Sequence, residues 1–224
     1  MTRLRLAAIA LATASLLCGA AVRAQDFKAA VGSTPVPSEI QSSIRSLITP
    51  VSTNITSGNS PYCEIWTRAS IPAAPTPATA LGVIYTTLVE GEIVGAIHFD
   101  VPVKDFRNQA VQPGTYILRY GQQPVDGNHQ GVSDYRDFLL LTPAALDNSA
   151  DNLADKDLYT LSRKTTTTGH PSVWSMVPTD SAPTLLPGTK TNADEQFTAA
   201  YFKATVGTSP ITIGLVVSGH AQTP

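Results

Sequence analysis

A mostly β chain is what the 224 residues predict: an antiparallel β-sandwich or jelly-roll-like domain with an N-terminal amphipathic helix and a short helical insertion. Three observations carry this. Apolar and polar residues alternate with period two after Pro61, where Tyr62, Glu64, Trp66 and Arg68 oppose Cys63, Ile65, Thr67 and Ala69. Gln112-Pro113-Gly114 forms a turn signal, since proline fixes φ at the second turn position and glycine supplies positive φ at the third. Phe138, Leu139, Leu140 and Leu141 stand in an unbroken apolar run, the pattern of a strand covered on both faces.

At the N-terminus, Arg3 and Arg5 precede an uncharged apolar run over residues 6–17, an n-region followed by an h-region. That run is far shorter than the ~20 residues a membrane-spanning helix needs. Val22, Arg23 and Ala24 then offer small residues at the positions a signal peptidase reads. Residues 1–24 are therefore read as a cleavable signal peptide. The mature chain is expected to start at Gln25, to be periplasmic or secreted, and to carry no transmembrane segment after cleavage. Lipid attachment at Cys18 competes with this reading, but the bulky Leu17 before it fits that chemistry poorly.

Cleavage removes Arg3, Arg5 and Arg23 from the 15 basic residues, leaving 12 against 17 acidic ones, a formal charge of −5. No basic cluster is denser than Arg163-Lys164, so a nucleic-acid partner is not expected. Cys63 is the one cysteine of the mature chain, which leaves no disulfide framework.

The N-terminal segment, residues 25–60, holds the predicted helix 38–48. There Ile40, Ile44, Leu47 and Ile48 share a face, and Ser38 with Gln41 reads as a capping box between Pro37 and Pro50. Residues 51–60 are polar and small and read as a loop. The β domain is placed over 61–224. Its further strands are expected over 81–89, 92–100, 115–120 and 135–142, then a short one over 171–177, with 196–206 and 211–218 as a closing hairpin. Between them, 143–164 is rich in Asp, Ala and Leu with Thr160 as its one β-branched residue, and reads as one or two short helices.

Cys63-Glu64-Ile65-Trp66, the stretch from Pro113 to Tyr120, Pro124-Val125-Asp126-Gly127-Asn128-His129, and Arg136-Asp137 before the apolar run occur in that order. Ser162-Arg163-Lys164 and His170-Pro171 follow them. In motif order, over about residues 61–175, the chain resembles a group of uncharacterised exported bacterial proteins. That resemblance implies no activity, and the fold class alone implies none either.

No Gly-x-Ser-x-Gly, Ser-x-x-Lys, P-loop, Cys-x-x-Cys or His-Glu-x-x-His motif is present, so candidate sites must be assembled in space. Cys63, His98, His129 and His170 supply the thiolate and imidazole donors that copper or zinc prefer. Against this, each has an ordinary structural role open to it, and Asp100 could orient His98 from the same strand face. Arg119, His129, Arg136 and Asp137 flank the long 121–134 loop. Two guanidinium groups there could clamp a carboxylate or phosphate while His129 moves a proton. The competing reading is an internal Arg119–Asp137 ion pair between neighbouring strands. Asp147, Asp151, Asp155 and Asp157 offer oxygens to calcium but lack the glycine and bidentate glutamate of a dedicated loop. Tyr62, Trp66 and Trp174 are either a sugar-stacking platform or core anchors. The functional expectation is a binding or accessory module for a small molecule, glycan or protein. The alternative is an extracytoplasmic metalloprotein or enzyme using the Cys/His set.

Overall fold

The structure is a computed structural model that describes residues 26–126, 129 and 133–221. The expected signal peptide and Cys18 lie outside these residues. The chain is mostly β. Ten strands form one antiparallel sheet in the order β1 (Phe27–Gly32), β2 (Ile48–Ser57), β3 (Ser60–Arg68), β4 (Ile93–Phe99), β7 (Gly114–Gln122), β8 (Asp137–Pro143), β9 (Val173–Val177), β12 (Ser209–Ser218), β11 (Phe197–Val206) and β10 (Gly188–Asn192). A separate two-stranded hairpin pairs β5 (Val103–Lys104) with β6 (Ala110–Val111).

The sheet curls until its edges approach, with Thr189 Oγ1 of β10 donating to the Phe27 carbonyl of β1 at 2.7 Å. Near-closure protects edges that would otherwise offer unpaired backbone groups. Strands β1 to β9 follow one another across the sheet, apart from the β5–β6 excursion. The chain then crosses to the far edge and returns through β10, β11 and β12 to lie beside β9, a Greek-key step. The 207–208 tip joins the last two strands as the expected hairpin, with Gly207 at φ 59°.

The concave face encloses the main core. Ile65, Phe99, Leu139, Leu141, Trp174 and Phe202 meet there from across the sheet, and the Phe99 and Trp174 rings stack at 5.0 Å. Strand β8 is covered on both faces, as its apolar run predicts. Leu139 and Leu141 point into this core, whereas Phe138 and Leu140 pack outward against Leu158 and Val173.

The expected N-terminal helix is much shorter than predicted. Only α1 (Ser42–Arg45) is helical, Gln41 is its N-cap without a side-chain bond, and Ile48 already begins β2. The capping box does not form, yet Ile40, Ile44 and Ile48 are buried against Trp66, Ile93 and Ile117 on the convex face. The isoleucine spacing therefore records burial of a face, which successive tight turns achieve as well as a helix.

Two further expectations are corrected. The supposed loop 51–60 is mostly β2 and its tight connection to β3, because both neighbours of β2 satisfy its backbone despite its Ser/Thr/Asn side chains. The supposed strand 81–89 is irregular. The Asp137 carboxylate accepts from the backbone N–H of Ile84 at 2.8 Å and of Tyr85 at 3.0 Å, where a neighbouring strand would otherwise have paired. The helical insertion is present as α2 (Asp155–Ser162), continued by a 3-10 turn at Arg163–Thr165.

A candidate ligand cleft on the convex face

A cleft of about 520 Å³ opens where α2 and the loops around it stand off the outer face of β7, β8 and β9. Its floor is apolar, formed by Phe138, Leu140 and Val173 with Phe106 and Tyr159 at the sides. Gly121 contributes backbone alone to this floor. A Cβ there would lie 3.2 Å from Leu140 Cδ1, so any side chain would press on the leucine that lines the cleft.

Arg107 enters from the β5–β6 hairpin. Asp105 folds that turn by accepting from the backbone N–H of Arg107 at 3.0 Å and of Gln109 at 2.8 Å, an Asx-type arrangement, and Asn108 closes it at φ 61°. The other Asp105 oxygen takes Gln109 Nε2 at 2.7 Å and the Val173 N–H at 3.0 Å, tying the hairpin to β9. Burial pushes the Asp105 carboxyl up from its ordinary range, and its donors from Val173, Gln109 and Arg107 pull it back.

Gln109 also donates to the Pro171 carbonyl at 3.0 Å and accepts from the Thr168 hydroxyl. One buried pair, Asp105 with Gln109, therefore places both Arg107 and the loop that bears His170. Arg163 comes from the end of α2, and His129 from the 121–134 loop.

The two histidines are held alike. His170 Nδ1 lies 2.8 Å from the Pro171 carbonyl, so it must carry the proton and donate, which leaves Nε2 unprotonated in the neutral ring. His129 Nδ1 lies 2.7 Å from Asp126 Oδ1, and the ring centroids are 6.5 Å apart. Burial lowers the His170 pKa, and the nearby Arg107 and His129 add to that shift, while the Pro171 carbonyl and Asp105 oppose it. His170 is neutral at pH 7, and the fixed charges of the cleft are the two guanidinium groups.

The four residues proposed from the sequence as metal ligands do not converge. Cys63 faces the concave core opposite Phe99, whereas His98 pairs with Glu64 on the other face of the sheet. His98 Nδ1 contacts Thr115 Oγ1 at 2.8 Å, the partner foreseen as Asp100. Only His129 and His170 meet, and no cluster of three His, Cys, Asp or Glu suited to a metal occurs among the described residues. Burial raises the Cys63 thiol well above its ordinary value, with Asp100 and Glu64 adding to the shift. Cys63 is thus expected to resist a thiol reagent in the folded protein and to react fully in denaturant. Rapid labelling of the native state would contradict its placement.

The arginine clamp is also reassigned. Arg119 is fully buried and binds Asp147 through Nε and Nη2 at 2.7 and 2.8 Å, not Asp137. Asp137 instead fixes the 81–89 segment and accepts from the Tyr120 hydroxyl at 2.7 Å. Arg136 Nε donates to the Gln123 carbonyl at 2.9 Å, which pins a wall residue of the cleft without lining it. Of the proposed carboxylate or phosphate clamp, only His129 lies in the cleft. Asp147 is committed to Arg119 and is not available to calcium. Trp66 and Trp174 are buried core anchors, and Tyr62 donates to the Val217 carbonyl, so no aromatic platform forms from these three.

No family model matches the chain, and neither the curated proteins nor the solved structures hold a detectable match. The cleft must be read from its own chemistry.

Sequence reasoning missed Arg107 and Arg163 as site residues. Arg163 stands in the Ser162-Arg163-Lys164 motif and His170 in the His-Pro motif that follows it. That close succession was the available signal that the segment matters. Nothing local to Arg107 marks it, because its place depends on Asp105 meeting β9 across 68 residues.

Proposed function

We propose that this protein is a secreted or periplasmic binding or accessory module that takes a small molecule in the cleft between α2 and the outer face of β7–β9. The observation that carries this reading is the cleft itself. Its volume of about 520 Å³ falls in the range of small-molecule sites, and an apolar floor with a few converging polar groups is their usual composition. Gln123 adds support: its buried Oε1 has no hydrogen-bond partner among the described residues. Buried acceptors are normally satisfied, and a ligand N–H or O–H would complete this one.

The reading of a metalloprotein or enzyme using a Cys/His site has less support, since Cys63 and His98 lie on opposite faces of the sheet. Two arginines beside His129 and His170 also oppose a cation there.

Binding of an uncharged fluorescent probe, phenylnaphthylamine, tests the proposal. The probe is expected to brighten on addition of the purified protein. Val173→Phe places a ring in the open cleft and is expected to weaken binding about tenfold or more, a change of at least ~1.4 kcal/mol. The melting temperature should shift by only a few degrees, since the added volume enters space that is not packed. No brightening with the parent protein, or equal binding by the variant, would sink the cleft as the binding site.

A further inference from the structure

Among the described residues there are six arginines, and four are used by the protein itself. Arg45 donates to the Ser38 carbonyl, Arg68 to Glu92, Arg119 to Asp147 and three carbonyls, and Arg136 to the Gln123 carbonyl. The two remaining guanidinium groups, those of Arg107 and Arg163, make no side-chain hydrogen bond or ion pair with any described residue. Both stand in the wall of the cleft.

The lining is one-sided in charge as well. No described Asp or Glu lines the cleft, although acidic residues outnumber basic ones in the mature chain. Each remaining ionisable lining group other than Tyr159 is an arginine or a histidine. Two uncompensated cations over a low-polarity floor raise the potential inside a cleft well above that of an open surface.

Resting on the reading that this cleft binds small molecules, we infer that its ligand is an amphipathic oxyanion: a carboxylate or phosphate met by Arg107 and Arg163, joined to an apolar body on Phe138, Leu140 and Val173. A guanidinium fork matches the paired oxygens of either group, and charge-assisted bonds of this kind are about twice as strong as neutral ones. The ligand's body covers the hydrophobic floor, and its head takes the only charged side chains the described lining offers. His170 Nε2, unprotonated because Nδ1 donates to the Pro171 carbonyl, serves that head only as an acceptor from a protonated oxygen, such as the P–OH of a phosphate monoanion.

The test compares two probes of like body and different charge, anilinonaphthalene sulfonate and uncharged phenylnaphthylamine, on the full mature chain. The sulfonate is expected to bind about tenfold tighter, with the preference shrinking at ~1 M salt. Arg107→Gln combined with Arg163→Gln should remove most of that preference and leave the neutral probe's affinity unchanged. Lys164→Gln is the control, since Lys164 is exposed beside Arg163 but does not line the cleft.

Equal affinity for the two probes, or an equal loss with Lys164→Gln, overturns the oxyanion inference while leaving the cleft reading intact. If neither probe binds, the cleft reading fails and this inference falls with it. Displacement of the sulfonate by phenylpropanoate identifies a carboxylate site, and displacement by phenyl phosphate a phosphate site. Failure of both competitors overturns the inference.

Discussion

Arg119→Met is expected to destabilise the domain by about 3–5 kcal/mol, the range for removing one partner of a buried ion pair. For a domain of this size that corresponds to a fall in Tm of roughly 6–20 °C. Arg119 and Asp147 are both fully shielded from solvent. All five N–H groups of Arg119 are used: three by the carbonyls of Gly91, Ser149 and Asp151, and two by the Asp147 carboxylate. Asp147 also accepts from the Thr142 hydroxyl. Truncating the arginine therefore strands a buried carboxylate and three carbonyls together.

The double variant Arg119→Met with Asp147→Leu separates these contributions. Where a buried pair acts only as a pair, replacing both members with apolar residues of similar size is often neutral. Here the double variant is expected to recover only part of the loss, because the three backbone carbonyls remain without donors. Thermal or urea denaturation of the single and double variants measures both quantities. Full recovery would show that Arg119 serves Asp147 alone and that the carbonyl bonds contribute nothing.

Arg119 also shows where local sequence reading stops. The strands of the sheet's middle were legible because period-two alternation and double-sided burial are written in consecutive residues, as in Tyr62–Ala69 and Phe138–Leu141. The ion-pair partner of Arg119 was not, since Asp147 lies 28 residues away and reaches it only after β8 has turned the chain back. Composition misled at both ends of the polarity scale. Ser52, Thr53 and Asn54 look like a loop, yet they form a strand because β1 and β3 flank them. Val83, Ile84 and Tyr85 look like a strand, yet one buried carboxylate replaces the ladder.

The same limit explains the candidate site. The residues near the 121–134 loop left two readings open, an internal Arg119–Asp137 ion pair or a guanidinium pair beside His129 from Arg119 and Arg136. The structure spends both arginines on its own carbonyls and carboxylates and brings Arg107 and Arg163 to the cleft instead. Which arginine remains uncommitted is decided by the full hydrogen-bond inventory, and that inventory exists only in the folded chain.

Asp105→Ala should show how far the cleft depends on one side chain. The carboxylate accepts from four N–H groups on Arg107, Gln109 and Val173. Hydrogen bonds to a charged acceptor contribute roughly 1.5–3 kcal/mol each and do not add, so a loss of about 3 kcal/mol in urea denaturation is expected. Sulfonate-probe affinity should fall about tenfold with it, because the turn that aims Arg107 has lost its acceptor.

Asp105→Asn divides the two roles. An asparagine keeps one oxygen for the Arg107 and Gln109 N–H groups but turns an amide donor toward Gln109 Nε2 and the Val173 N–H. The turn survives, and the tie to β9 does not. Stability is therefore expected to fall with both substitutions, whereas probe affinity falls steeply only with alanine. Equal loss of affinity in both variants would mean that the hairpin is aimed by its anchor to β9, through Val173, and not by the Asx turn that Asp105 closes around Arg107.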